Sequence, residues 1–198
     1  MRLILVRHGE TEANSKEINE GHREGELTEK GRQQAKKVAL RLKEEKLDVI
    51  YVSDLKRAVD TAAEIIKHHP NVEVIYEPSL REQSHGIYEG SPYGTISKVA
   101  KEAGLAKMEF RPEGGESIND AKKRVKKFLD RIFNEDKDKT VLVVTHGGVI
   151  VNILIQLFNY PDEDYKTILP SNTAVSIIEL DFKDRHKLIT LNCIKHLL

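Results

Sequence analysis

The sequence is short of several things at once. It has one cysteine, Cys193, and no tryptophan, and its charges cancel. A lone thiol excludes an intramolecular disulfide framework and any zinc site built on several cysteines. Lys and Arg number 32 against 32 Asp and Glu, so the formal net charge at pH 7 is zero. Chains that hold nucleic acid or an anionic membrane surface by charge carry a basic excess, which argues against both partners here. No apolar run approaches the ~20 residues of a membrane-spanning helix. The apolar stretch Leu3 to Val6 runs into Arg7-His8 without a small-residue cleavage site, so it does not read as a secretory leader. A soluble, cytoplasmic protein is the expectation. Repeats, low-complexity tracts and Gly/Pro/Ser linkers are missing too, and a single domain over residues 1–198 is the simplest organisation.

What is present is an alternation of two periodicities. Arg2 to Val6, Val49 to Val52, Val72 to Tyr76 and Thr140 to Thr145 are short apolar runs of the kind buried on both faces of a parallel sheet. Between them lie amphipathic stretches. Thr28 to Lys46 places Ala35, Val38, Ala39 and Leu42 on one stripe behind a Thr28 cap. Leu55 to His68 does the same with Ala58, Val59, Ala62, Ile65 and Ile66, and Pro70 stops it. Ser117 opens a third helix with a capping-box partner at Asp120, and Val149 to Phe158 is a fourth. Ala174 to Leu180 and Lys187 to Ile194 read as a hairpin across the polar turn Asp181 to His186. Glu82 to Pro112 is mostly loop, with a short helix around Ile96 to Ala103. The predicted fold is α/β: a three-layer αβα sandwich whose central sheet is mostly parallel with an antiparallel edge, and with a small lid around 83–115.

Open α/β sheets bind ligands beyond the carboxyl ends of their strands. Here those ends carry Arg7-His8-Gly9, then Ser53 with Arg57 one turn on, then Arg81-Glu82, then Thr145-His146-Gly147-Gly148. Two histidines, two or three arginines and a glutamate thus gather at one sheet edge. Guanidinium forks match phosphate oxygens. Glycines beside the histidines, and a helix start after Gly147, let backbone N–H groups approach the same anion. A neutral imidazole is a competent nucleophile toward phosphorus, and a carboxylic acid can protonate the departing alkoxide. The set suffices for phosphoryl transfer through a phosphohistidine, without a metal or other cofactor.

These residues resemble the histidine phosphatase superfamily, the phosphoglycerate-mutase-like family, over nearly the whole chain. Arg7-His8-Gly9-Glu10-Thr11 is similar to its signature, with Asn14 following. Gly21, Leu27-Thr28-Glu29-Lys30-Gly31 and Gln34-Ala35 resemble its next block. Ser53-Asp54-Leu55-Lys56-Arg57-Ala58 with Thr61-Ala62, Leu80-Arg81-Glu82 with Gly86 and Glu89-Gly90, Gly114-Gly115-Glu116-Ser117, and Thr145-His146-Gly147-Gly148 complete the series. The resemblance implies His8 as phosphoryl acceptor. It implies Arg7, Asn14, Arg57, His146 and the Gly147 N–H as phosphate-binding groups. Glu82 would be the acid, then the base that activates water. Glu20, Gly21, His85 and Glu116 are the further candidates for substrate contact.

Each residue also has a plainer reading. His146 could cap a helix, although a cap has little need of two following glycines. Arg57 could be a solvated helix arginine, and Glu82 competes with Glu77, Glu89, Glu113 and Glu116. His68-His69 diverge on a helix and read as solvated. His22, His186 and His196 default to the surface, and Cys193 reads as a small buried hydrophobe. Lys122, Lys123, Lys126 and Lys127 form the polar side of their helix.

Mutase and phosphatase share this pocket and differ in what receives the phosphoryl group. The mutases carry a longer insertion after the acid and a tyrosine where this chain has His85. The compact phosphatase branch is therefore the expected one, a metal-independent hydrolase of small phosphorylated metabolites. A cofactor-dependent phosphoglycerate mutase, which would need 2,3-bisphosphoglycerate, is the alternative. A non-catalytic phospholigand-binding module is the second. Monomer and homodimer are both compatible with the neutral charge.

Overall fold

The computed structural model describes residues 1–161, 165–181 and 185–198, with only the backbone for Lys166. One six-stranded sheet organises them. Its strands are β1 (Arg2–Arg7), β2 (Val49–Val52), β3 (Glu73–Tyr76), β4 (Thr140–Thr145), β5 (Val175–Glu179) and β6 (Lys187–Cys193). They lie in the order β3-β2-β4-β1-β5-β6. The pairs β2–β3, β2–β4 and β1–β4 are parallel, whereas β1–β5 and β5–β6 are antiparallel. The expected α/β class and antiparallel edge are both observed. The turn expected over Asp181 to His186 falls mainly on 182–184, outside the described residues.

Side-chain alternation builds the layers. Leu3, Leu5, Tyr51, Val141 and Val143 face one core with α5 (Ile118–Glu135) and α6 (Gly147–Phe158). Ile4, Val6, Ile50, Val52, Leu142 and Val144 face the other with α2 (Glu29–Leu42) and α3 (Lys56–Ile66). The chain therefore leaves β1 toward one face and β4 toward the other, although these strands are neighbours. That divergence opens a crevice at their carboxyl ends, the topological switch point of such sheets. Register aligns the ends: Val6 and Val52 both pair with Val144, and Arg7 pairs with Thr145.

The expected caps are formed. Thr28 Oγ1 accepts from Gly31 N at 2.9 Å. Ser117 and Asp120 make a reciprocal capping box at the head of α5. Two helices of four residues, α1 (Glu12–Ser15) and α7 (Tyr165–Ile168), are too short to show periodicity in the sequence. The first of them starts from a Thr11–Asn14 box. The short helix in the long loop is α4 (Thr95–Glu102). The helix after β4 begins at Gly147 rather than Val149, because His146 already takes the extended N-cap conformation. His69 is buried, not solvated: past the end of α3 its ring turns inward, Nε2 meeting the Leu42 carbonyl at 3.1 Å. Cys193 is half-buried on the edge strand rather than enclosed. Among the described residues, no helix is long and apolar enough to cross a membrane.

The loop after His8 sits against the first turn of α2 with no room for a side chain. A Cβ on Gly31 would lie 2.0 Å from the Glu10 carbonyl oxygen, and one on Gly9 would lie 2.6 Å from that of Gly31. Both positions require glycine for closeness of main chain.

Candidate active site

The switch-point crevice is a cavity of about 320 Å³ lined by Arg7, His8, Asn14, Glu20, Gly21, Arg57, Glu82, His85 and Gly147, together with residues of the 83–115 segment. Elements distant in sequence deliver them. His8 follows β1, and its N–H bonds to the Thr145 carbonyl at 2.9 Å. Ser53 extends β2 through Val144 O at 2.9 Å. Arg57 lies in the first turn of α3 and His146 caps α6.

His8 and His146 stand with ring centroids 5.2 Å apart. His8 Nδ1 lies 2.7 Å from the Gly9 carbonyl oxygen, a contact that requires the proton on Nδ1. Its Nε2 is then the unprotonated nitrogen. Burial, with Arg57 and Arg7 nearby, pushes the pKa of His8 well below the usual imidazole value. Burial and the same arginines do likewise for His146. Both rings are neutral at pH 7. Asn172 and Thr173 back the His8 carbonyl from the segment before β5, and Thr61 Oγ1 accepts from Gly9 N at 2.9 Å.

Arg57 is 1% exposed. Its Nη2 donates to the Gly21 carbonyl at 2.8 Å, its Nη1 to that of Arg23 at 3.1 Å, and its Nε to His146 Nδ1 at 3.2 Å. A guanidinium so enclosed is held rigid by the carbonyls rather than by water. Arg7 donates from Nη1 to Pro170 O at 2.7 Å, while its Nε is buried without a partner. Asn14 Oδ1 accepts from Asn172 Nδ2 at 2.9 Å, and its Nδ2 faces the Tyr93 hydroxyl at 3.3 Å.

Glu82 accepts from the Gly148 N–H at 3.0 Å and from its neighbour Gln83 N at 2.9 Å. This places the carboxyl at the head of α6, where helix N–H groups gather. His22 supports it from the far side, its Nε2 2.8 Å from the Glu82 carbonyl oxygen. Glu89 Oε1 accepts from His22 N and His85 N, so one carboxylate shapes the loop after the acid.

Of the further candidates, Glu20, Gly21 and His85 line the cavity. Burial pushes His85 below the usual imidazole value, and its Nδ1 is buried and unpartnered. Glu116 is placed elsewhere: it pairs with Arg124 and accepts from Ser84 N at 3.2 Å, and it does not line the cavity. Arg81 also turns away, to Asp54, its Nε 2.7 Å from Oδ1. Tyr93 and Tyr165 line the cavity and carry no sequence signal, and Lys107, one of the basic residues between Gly90 and Arg111, lines it too. Lys107 stands over the Tyr165 ring, 5.6 Å from its centroid. Burial and Glu82 push the Tyr165 phenol upward, so it stays protonated.

The site gathers guanidinium groups, amide N–H groups and one imidazole with a free nitrogen. Residues 3–193 match the description "Histidine phosphatase superfamily (branch 1)". The chain belongs to the histidine phosphatase superfamily. It is 37% identical to "Phosphoglycerate mutase-like protein 4" of Arabidopsis thaliana, over 98% of this chain and 86% of that protein. It is 34% identical to "Phosphoserine phosphatase 1" of Hydrogenobacter thermophilus, over 100% and 94%. A solved structure of a phosphoserine phosphatase from Entamoeba histolytica, in complex with 3-phosphoglyceric acid, superposes with a TM-score of 0.85 at 30% identity. It covers 100% of this chain and 99% of that one. The cavity lies at the carboxyl ends of β1 and β4, where the chain leaves two neighbouring parallel strands toward opposite faces of the sheet.

Proposed function

We propose that the protein hydrolyses small phosphomonoesters through a phosphohistidine on His8, with no metal. One observation carries the reading: His8 Nδ1 is tied to the Gly9 carbonyl, leaving Nε2 unprotonated in the cavity that Arg7 and Arg57 also line, with the His146 ring behind it at 5.2 Å. A ring so oriented is a ready nucleophile. In the first half-reaction, Nε2 attacks phosphorus and the P–O bond to the alcohol breaks. Glu82, protonated at that moment, gives its proton to the leaving oxygen. In the second, Glu82 takes a proton from water as the water attacks phosphorus, and His8 leaves as the free imidazole. Arg7, Arg57, Asn14 and the Gly147 N–H stabilise the equatorial oxygens in place of a metal ion, and His146 holds Arg57 in place through its Nδ1. The 83–115 segment acts as a lid whose Tyr93, Ile96 and Lys107 meet the alcohol portion.

Relatives named phosphoserine phosphatase support phosphoserine as the first substrate to assay. The test is acid-quench trapping of labelled phosphoenzyme from phosphoserine and a panel of phosphomonoesters, with wild type and His8→Ala. Label on wild type alone, with release of free phosphate, is expected. Turnover by His8→Ala at the wild-type rate contradicts the nucleophile. Rapid conversion of 3-phosphoglycerate to 2-phosphoglycerate in the presence of 2,3-bisphosphoglycerate replaces the hydrolase with the mutase.

A further inference from the structure

Glu20 is a carboxylate where the proposed reaction wants cations. Its side chain is 9% exposed and lines the same cavity as His8 and Glu82. Oε2 lies 3.3 Å from Arg57 Nε and accepts from Thr11 Oγ1 at 3.1 Å. Oε1 is buried with no hydrogen-bond partner. Arg57 Nε is the nitrogen that also faces His146 Nδ1, so Glu20 reaches the edge of the guanidinium that points toward the two histidines. The carboxylate thus stands against Arg57 as a phosphoryl oxygen would.

We propose that Glu20 competes with the phosphoryl group for Arg57, and that phosphate binding is coupled to uptake of one proton by the Glu20 carboxyl. The proposal rests on the cavity being a phosphate site. A phosphoryl dianion on Arg57 meets an ionised Glu20 as a like charge in a poorly solvated space. A proton from solvent on the carboxyl removes that charge; carried on Oε2, the oxygen beside Arg57, it supplies an O–H toward P–O, while Oε1 stays against Gly25. Swinging aside is the poorer escape. The cleft behind Glu20 is lined by Glu12, Glu24 and Glu26 with Lys16 and Arg23, which offers no cationic surplus. The groups facing Glu20 are Arg57 from α3, Arg7 from β1 and Glu82 from the stretch after β3, with neutral His8 across the cavity. Burial and Glu82 raise the carboxyl's pKa while the arginines oppose them, and burial is the largest effect. Glu20 is a positioning residue in this account, acting through Arg57, and it makes the affinity for phosphate fall as pH rises.

The test is calorimetric binding of inorganic phosphate to wild type, Glu20→Gln and Glu20→Asp, from about pH 5 to about pH 8 in buffers of differing ionisation enthalpy. Phosphate's own titration cancels in the ratio of dissociation constants. Glu20→Gln is expected to bind about tenfold tighter than wild type near pH 8, with the advantage vanishing toward pH 5 and one fewer proton taken up. Glu20→Asp keeps a carboxyl and is expected to keep the pH dependence. Weaker binding by Glu20→Gln, or a ratio that ignores pH, overturns the proposal and leaves Glu20 a structural prop for Arg57. Phosphate that binds neither wild type nor variant overturns the phosphate site itself, and the proposal with it.

Discussion

Arg57 fixes the tautomer of His146. The arginine Nε is a donor only, and it points at His146 Nδ1 across 3.2 Å, so Nδ1 must accept. The proton of the neutral ring then sits on Nε2, 2.7 Å from Ser53 Oγ, which accepts it. Three buried side chains from α3, the α6 cap and the end of β2 thereby hold one another in a single arrangement.

Ser53→Ala removes that acceptor and leaves a buried N–H unsatisfied, at a cost of about 1–3 kcal/mol. The expected result is a drop of roughly ten- to a hundredfold in kcat/KM for a phosphomonoester, with the protein still folded by circular dichroism. An unchanged kcat/KM would show that the tautomer is set elsewhere.

Glu82→Gln deletes the proton donor and keeps one of the two accepted hydrogen bonds, since the amide has a single oxygen to offer the N–H groups of Gly148 and Gln83. Alkyl phosphates such as phosphoserine should slow by about 10²–10⁴-fold, whereas p-nitrophenyl phosphate, whose leaving group needs little protonation, should slow far less. Equal slowing of both substrates, in steady-state assays side by side, counts against the acid role.

Metal chelation should leave turnover intact. Guanidinium and amide donors supply the positive charge that a divalent ion would otherwise bring. Among the described residues, no cluster of three or more His, Cys, Asp or Glu could hold a metal ion. Dialysis against EDTA followed by assay checks this, and activity lost to EDTA and restored by magnesium contradicts it.

Acid should destabilise the fold through its histidines. His8 and His146 are pushed well below an unfolded value of about 6.5, and His196, half-buried beside Arg41, is held down to about 4. As pH falls below about 6.5, the unfolded chain takes up protons that the folded chain refuses, so stability drops with pH through that window. Tm recorded by scanning calorimetry should decline between about pH 6.5 and pH 4, and a level Tm there is the contrary result.

Much of this was legible because it depends on local rules. Strand alternation, the Thr28 and Ser117 caps, and the strand ends carrying Arg7, His8, Arg57 and His146 all follow from short-range pattern plus one rule of sheet topology. His22 was not legible. Its ring reaches the Glu82 carbonyl across 60 residues of chain, and no spacing encodes that contact. Tyr165 and Lys107 meet in the cavity from a four-residue helix and a loop, neither of which has a period to read. Glu116 looked available in sequence because its partner Arg124 lies two turns into the next helix, where it reads as an ordinary charged face. His69 misled for a simpler reason: adjacent helical residues diverge, but the helix had already ended at Ile66.

The contact between Gly9 and Gly31 has a lasting consequence for how such a protein can change. The loop that carries His8 packs on carbonyl oxygens and α-carbons, atoms every residue shares, and the side chains of Thr61 and Asn172 add hydrogen bonds to Gly9 and to the His8 carbonyl. The cavity wall contributed by the 83–115 segment is made of the opposite material, the side chains of Tyr93, Ile96 and Lys107 among them. Descendants of this chain are free to reshape what that wall admits while His8 stays where it is.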